Sequence, residues 1–124
     1  MQWDGTAGAG FAAPGVRPWL PCGDTTRNVA AQRDQSDSTL RLCRDLLTLR
    51  SAEHRGRIAS YRQLPAPEGV WAFQTGQFQV TANLSAQATS VGVPVGPVVL
   101  SSGPGALRGT ILAPWSGVIT RAAH

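Results

Sequence analysis

Residues 70–85 read VWAFQTGQFQVTANLS. From Phe78 the apolar side chains fall at every second position, and a period of two marks a strand with one buried face. Val70 to Phe73 is a short apolar run of strand length, and Thr75-Gly76 between the two segments is a hairpin signal. The same kind of pattern recurs in RIASYRQL (57–64), VPVGPVVLSS (93–102), GTILAP (109–114) and GVITR (117–121). Pro65-Ala66-Pro67, Gly92 and Gly103-Pro104-Gly105 punctuate these runs as turns. Five or six short strands in succession predict an antiparallel sandwich or half-barrel.

Upstream the period changes. SDSTLRLCRDLLTLR, Ser36 to Arg50, carries Leu40, Leu42, Cys43, Leu46, Leu47 and Leu49 at three- and four-residue spacing, with Arg41, Arg44, Asp45 and Thr48 on the other face. That spacing predicts a helix over 37–50 with Asp37 or Ser38 capping its first amides. Its wide apolar face requires a large partner surface.

The first 36 residues are different again. Asp4-Gly5, Pro14-Gly15, Pro18, Pro21 and Gly23-Asp24 predict a loop with no regular element longer than a turn. Yet the loop holds Trp3, Phe11 and Trp19. Surface loops rarely carry such side chains without a cover. Two readings stand side by side: the rings stack on a sugar, with Gln, Asp or Arg meeting its hydroxyls, or they anchor the loop on an adjacent domain.

The totals narrow the function classes. A chain of 124 residues is one domain's worth at most. Its net charge of +4 comes from 11 basic residues, all Arg, strung from Arg17 to Arg121, with Arg55 and Arg57 as the nearest approach to a patch. A nucleic-acid binder gathers its charge on one face, so no nucleic-acid partner is expected. No apolar run is long enough to span a bilayer, and no secretory leader is recognisable, so the expectation is a cytoplasmic chain without a membrane partner. Cys22 and Cys43 lack zinc spacing and read as reduced, buried small hydrophobes rather than a disulfide.

The seven carboxylates, Asp4, Asp24, Asp34, Asp37, Asp45, Glu53 and Glu68, fall in loops, at the helix start or on its polar face. Catalysis by a carboxylate pair needs both groups held on rigid elements a few ångströms apart, so solvated or capping roles are expected. His54 follows the helix and suits its dipole, and His124 ends the chain. No catalytic residue, metal site or cofactor is expected.

Met1-Gln2-Trp3-Asp4, Ala9-Gly10-Phe11, Pro18-Trp19-Leu20-Pro21, Asn28-Val29-Ala30-Ala31-Gln32 and the helix Asp37 to Arg50, in that order, resemble the C-terminal part of α-glucosidases of the α-amylase family. These are the oligo-1,6-glucosidase-like and trehalose-synthase-like enzymes of glycoside hydrolase family 13. Val80 to Ser85 and Leu112-Ala113-Pro114-Trp115 look like that family's central and closing strands. The resemblance implies an α+β fold, with the long loop and last helix of a (β/α)8 barrel followed by a small antiparallel all-β sandwich. The implied division is 1–55 (loop 1–36, helix 37–50) and 56–124. It implies a catalytic barrel as the partner, an oligosaccharide substrate for the intact enzyme, and Gln2, Trp3 and Asp4 at the rim of the sugar site. The family's nucleophile, acid/base and transition-state carboxylates match no position here, so the chain alone is expected to be inactive. The alternative is a free-standing β-sandwich module that binds carbohydrate or protein.

Overall fold

A computed structural model of the chain describes residues 2–54, 60–92 and 96–121, with the side chains of Glu53 and His54 excepted. The Arg55 and Arg57 pair, His124, the side chains of Glu53 and His54, and parts of the predicted strands 57–64 and 93–102 lie outside the described residues. The chain forms two compact units, Met1–Arg44 and Asp45–His124.

In the first unit the loop is interrupted by a short helix, α1, Val29–Arg33. A loop over the whole of 1–36 is therefore corrected at this point, and the cause is local. Asn28 is extended, and its Oδ1 accepts the Ala31 N–H at 2.7 Å, which is the geometry of an N-cap. Helix α2 spans Thr39–His54, four residues beyond the expected end. Of the two candidate caps it is Ser38 that acts: its Oγ accepts the Arg41 N–H at 3.2 Å and donates to the Gln32 and Gln35 carbonyls at 2.7 and 2.9 Å. Gln32 Oε1 also takes the Leu40 N–H at 3.0 Å, so the end of α1 and the start of α2 are stitched by side chains.

In the second unit eight strands follow: β1 Tyr61–Gln63, β2 Val70–Thr75, β3 Phe78–Asn83, β4 Thr89–Ser90, β5 Val98–Ser101, β6 Leu107–Arg108, β7 Ile111–Leu112 and β8 Gly117–Arg121. All pairings are antiparallel, in a five-stranded sheet ordered β1-β2-β3-β8-β5 and a three-stranded sheet ordered β4-β7-β6. The hairpin read from Thr75-Gly76 joins β2 to β3 with Thr75 opposite Phe78. Gly76 takes φ +55°, a conformation that L side chains rarely adopt. The small strands β4 and β6 are additions to the six expected runs.

Between the sheets lies the core, where Leu112 is fully buried against Val118 and Ala106. Asn83 is buried beside them and fully used: its Nδ2 donates to the carbonyls of Gln87, Leu112 and Ala113, while its Oδ1 accepts from the Ser85 N–H and hydroxyl. A buried amide with every group satisfied fixes the β3 end to the loop before β8.

Candidate functional site

Gln2, Trp3 and Asp4, the residues expected at the rim of a sugar site, share one backbone arrangement in the first unit. Gln2 pairs in parallel with Asn28, and the Val29 N–H donates to the Gln2 carbonyl at 3.0 Å. The Ala30 N–H donates to the Trp3 carbonyl, also at 3.0 Å, so the start of α1 supplies two of its unsatisfied amides to this strand-like segment. On the other side the Trp3 N–H reaches the Ala9 carbonyl at 2.9 Å.

That last contact explains Ala9-Gly10. Both residues have positive φ, +50° and +74°, which turns the chain back beneath Trp3. A Cβ on Gly10 would sit 2.7 Å from the Trp3 Cβ, so the position admits only glycine without a shift. Ala9 is fully buried, while the indole of Trp3 remains 53% exposed.

The polar groups are committed unequally. The Gln2 side-chain amide donates to the Cys22 carbonyl. Asp4 Oδ1 accepts the Thr6 N–H at 2.9 Å and the Thr6 hydroxyl at 2.6 Å, and these bonds hold its carboxyl below the usual carboxylate range. Asp24 repeats the arrangement with Thr26 at the same two distances, with its carboxyl likewise depressed by those bonds. Both carboxylates are thus held ionised as acceptors. Such a group is unsuited to donate a proton as a general acid at neutral pH.

Beside Asp4 and Thr6 opens a cleft of about 690 Å³, walled by Gly8, Gly10 and the Pro14-Gly15 turn, with Arg17 at its edge. Its neighbours in sequence are more exposed still: Phe11 at 63%, Leu20 at 71% and Trp19 at 97%. Cys22 is half-buried and Cys43 exposed, both as free thiols. The expectation of a buried Cys43 fails because the apolar arc of α2 is wider than the surface that covers it. Among the described residues no group of three His, Cys, Asp or Glu could hold a metal, and no helix is long and apolar enough to cross a membrane.

The sequence reading placed Gln2, Trp3 and Asp4 together but missed the groups that position them. Asn28 caps α1, donates to the Thr25 carbonyl at 2.8 Å and sits opposite Gln2, and Thr6 orients Asp4. The signal was present as a repeated spacing, Asp4-Gly5-Thr6 and Asp24-Thr25-Thr26, in which a side chain bonds the backbone two residues on.

Residues 64–119 match the family described as a domain of unknown function (DUF3459), which forms the C-terminal domain of α-amylase family enzymes. No curated protein sequence matches the chain significantly. Solved structures do match. The trehalulose synthase MutB from Pseudomonas mesoacidophila MX-45 is 25% identical, with a TM-score of 0.79 over 97% of this chain and 24% of that one. The isomaltulose synthase SmuA from Protaminobacter rubrum is 22% identical, with a TM-score of 0.80 over 99% of this chain and 25% of that one. The isomaltulose synthase from Klebsiella sp. LX3 is 21% identical, with a TM-score of 0.79 over 97% and 24%. The chain thus spans about a quarter of the length of each of these enzymes. The β-domain thus matches a family that forms the C-terminal domain of α-amylase family enzymes, and the chain shares its fold almost end to end with the C-terminal region of the trehalulose and isomaltulose synthases.

Proposed function

We propose that the chain is the C-terminal portion of an intracellular retaining α-glucosidase that acts on maltose- or isomaltose-type oligosaccharides, and that it is not catalytic by itself. The observation that carries this reading is the TM-score of 0.79 to the trehalulose synthase over 97% of the chain, which takes in the loop and α2 as well as the β-domain. A further solved structure of that synthase holds sucrose, itself an α-glucoside, as its substrate. Gln2, Trp3 and Asp4 contribute the rim of the sugar site: Trp3 offers an exposed ring for stacking, and Asp4 offers the carboxylate oxygen that Thr6 leaves free. The role of the β-domain is to pack on the catalytic barrel and stabilise it. Free thiols at Cys22 and Cys43 accord with a reducing, cytoplasmic setting.

Inactivity of the chain alone is supported by its carboxylates, none of which matches a position of the family's nucleophile, acid/base or transition-state carboxylate. A retaining glycosidase needs two carboxyls about 5–5.5 Å apart, one of them an acid with a raised pKa. Asp4 and Asp24 are displaced in the opposite direction. The test is the intact mass, in source-cell extract, of the polypeptide bearing these residues, together with an aryl α-glucoside assay of the isolated chain. A mass several times 13 kDa and no turnover by the chain are expected. Turnover that co-purifies with the 13 kDa species would overturn the reading.

A free-standing binding module is the second reading, favoured by the exposed rings of Trp3, Phe11 and Trp19. Titration of the chain with malto- and isomalto-oligosaccharides, followed by tryptophan fluorescence, separates the two. A saturable change at millimolar sugar favours the module.

A further inference from the structure

Trp115 carries two costs at once. Its φ of +52° lies in the left-handed region, which bulky L side chains rarely enter, and the residue is 69% exposed. Backbone strain persists only where the surroundings over-determine it, and here they do. The Trp115 N–H donates to the Ser85 carbonyl at 3.2 Å, and the adjacent Ser116 carbonyl accepts the Asn83 N–H at 2.8 Å. The Ser116 hydroxyl closes the turn on the Ala113 carbonyl at 2.7 Å, and the buried Asn83 amide reaches that same carbonyl at 3.1 Å. The turn is therefore clamped to the core through Asn83 while its largest side chain stays in solvent. Neither the strain nor the exposed ring stabilises the fold, and choices that work against stability collect at binding sites.

The surroundings select the ligand. The bond from Trp115 to Ser85 brings the turn beside the loop that carries Ser85, Gln87 and Thr89. Ser85 and Thr89 spend their hydroxyls on the Gln87 carbonyl, and Gln87 bonds through its backbone, which leaves its exposed side-chain amide for a ligand. No ionisable side chain occurs between Glu68 and Arg108, or between Arg108 and Arg121, in a chain that carries 11 Arg. Arg108 lays its guanidinium against Gly105. A charged ligand would meet no counter-charge here, whereas a neutral sugar fits: its C–H face stacks on an indole, and an amide both donates to and accepts from its hydroxyls. Resting on the function proposed above for the class of sugar, we infer that Trp115 and Gln87 form a second sugar-contacting site, on the β-domain, that takes one glucosyl ring of an α-linked oligosaccharide. One ring on an open surface binds weakly, with half-saturation above about 10 mM, beyond the millimolar range at which a free-standing module responds.

The test follows each ring separately. The chain is labelled with nitrogen-15 at its four tryptophans, and the indole N–H signals are assigned from single Trp→Phe variants. Maltotriose and isomaltotriose are then titrated, with glycerol as the control for bulk solvent effects. A saturable shift of the Trp115 signal is expected with at least one of the two sugars and not with glycerol. Gln87→Ala should weaken the response at least three-fold. Trp115→Gly should abolish sugar binding while raising the urea midpoint, whereas a merely structural role for Trp115 would make both fall together.

An equal drift with glycerol, a silent Trp115 while another indole shifts, or a Trp115→Gly chain that is less stable would each overturn the assignment. A dimer in sedimentation that Trp115→Gly dissociates would make a second copy the occupant and overturn it as well. A silent Trp115 leaves the proposed function standing, because that reading is judged by the intact mass and by turnover.

Discussion

The two compact units keep their shape by different means. In Met1–Arg44, Ala9 and Val29 are the buried apolar residues among those described, and conformation is held by side-chain-to-backbone bonds from Asp4, Asp24, Asn28 and Ser38. In Asp45–His124 an apolar core of Ala106, Leu112 and Val118 lies between antiparallel ladders, and Ala72 and Phe78 are buried on the two faces of the larger sheet. Net stability from polar turns is small, since each bond replaces one to water, whereas apolar burial accumulates with area. The first unit also leaves its largest apolar residues in solvent, with Trp19 97% exposed. The first unit is ordered chiefly by polar bonds, and the second by apolar burial.

Leu112→Ala would break this contrast most severely. Removing a fully buried Leu costs about 2–5 kcal/mol, so urea denaturation followed by far-ultraviolet dichroism should show the β-unit destabilised by that amount. An effect under 1 kcal/mol would mean that the core between the sheets is not tightly packed. Next comes Asn28→Ala in the first unit, which removes the α1 cap and a bond to Thr25. A loss of about 1 kcal/mol is expected, visible as faster hydrogen exchange at Ala31 with β2 and β3 unchanged.

A gain is expected at Trp115, where φ is +52° on an exposed indole. Glycine relieves the left-handed strain, and after its own entropy cost Trp115→Gly should raise the β-unit's stability by about 0.5–1 kcal/mol in the same denaturation experiment. The smallest effect concerns acid. Asp4 and Asp24 have folded-state pKa values below the ordinary 3.8, so their contribution is present above that pH and is lost as pH falls through the depressed values. Amide exchange at Thr6 and Thr26 should therefore loosen below pH 3.8 before the β-unit responds, and Asp4→Asn should remove the effect at Thr6 alone.

What the sequence disclosed follows the same division. Strands β2, β3 and β8 were legible because alternation and a hairpin signal run over five or six residues. Helix α2 was legible because its leucines keep helical spacing, although its C-terminal extension past Arg50 was not, since Ser51 to His54 carries no apolar period. Strands β4 and β6 are two residues each, too short for any period, and form because β7 lies beside them. Gln2, Trp3 and Asp4 were singled out by their resemblance to a family. Their support was not, because the pairing of Gln2 with Asn28 joins positions far apart in a segment without periodicity.

Hydrogen exchange of the isolated chain, resolved by residue, tests the central claim most directly: the amino-terminal third and the leucine-rich helix are shaped to lie against bulk that these residues do not themselves supply. The account predicts rapid exchange through residues 2–36 and slow exchange in Val70–Thr75 and Phe78–Asn83. Slow exchange throughout residues 2–36, with the loop melting in one transition with the sheet, would contradict it.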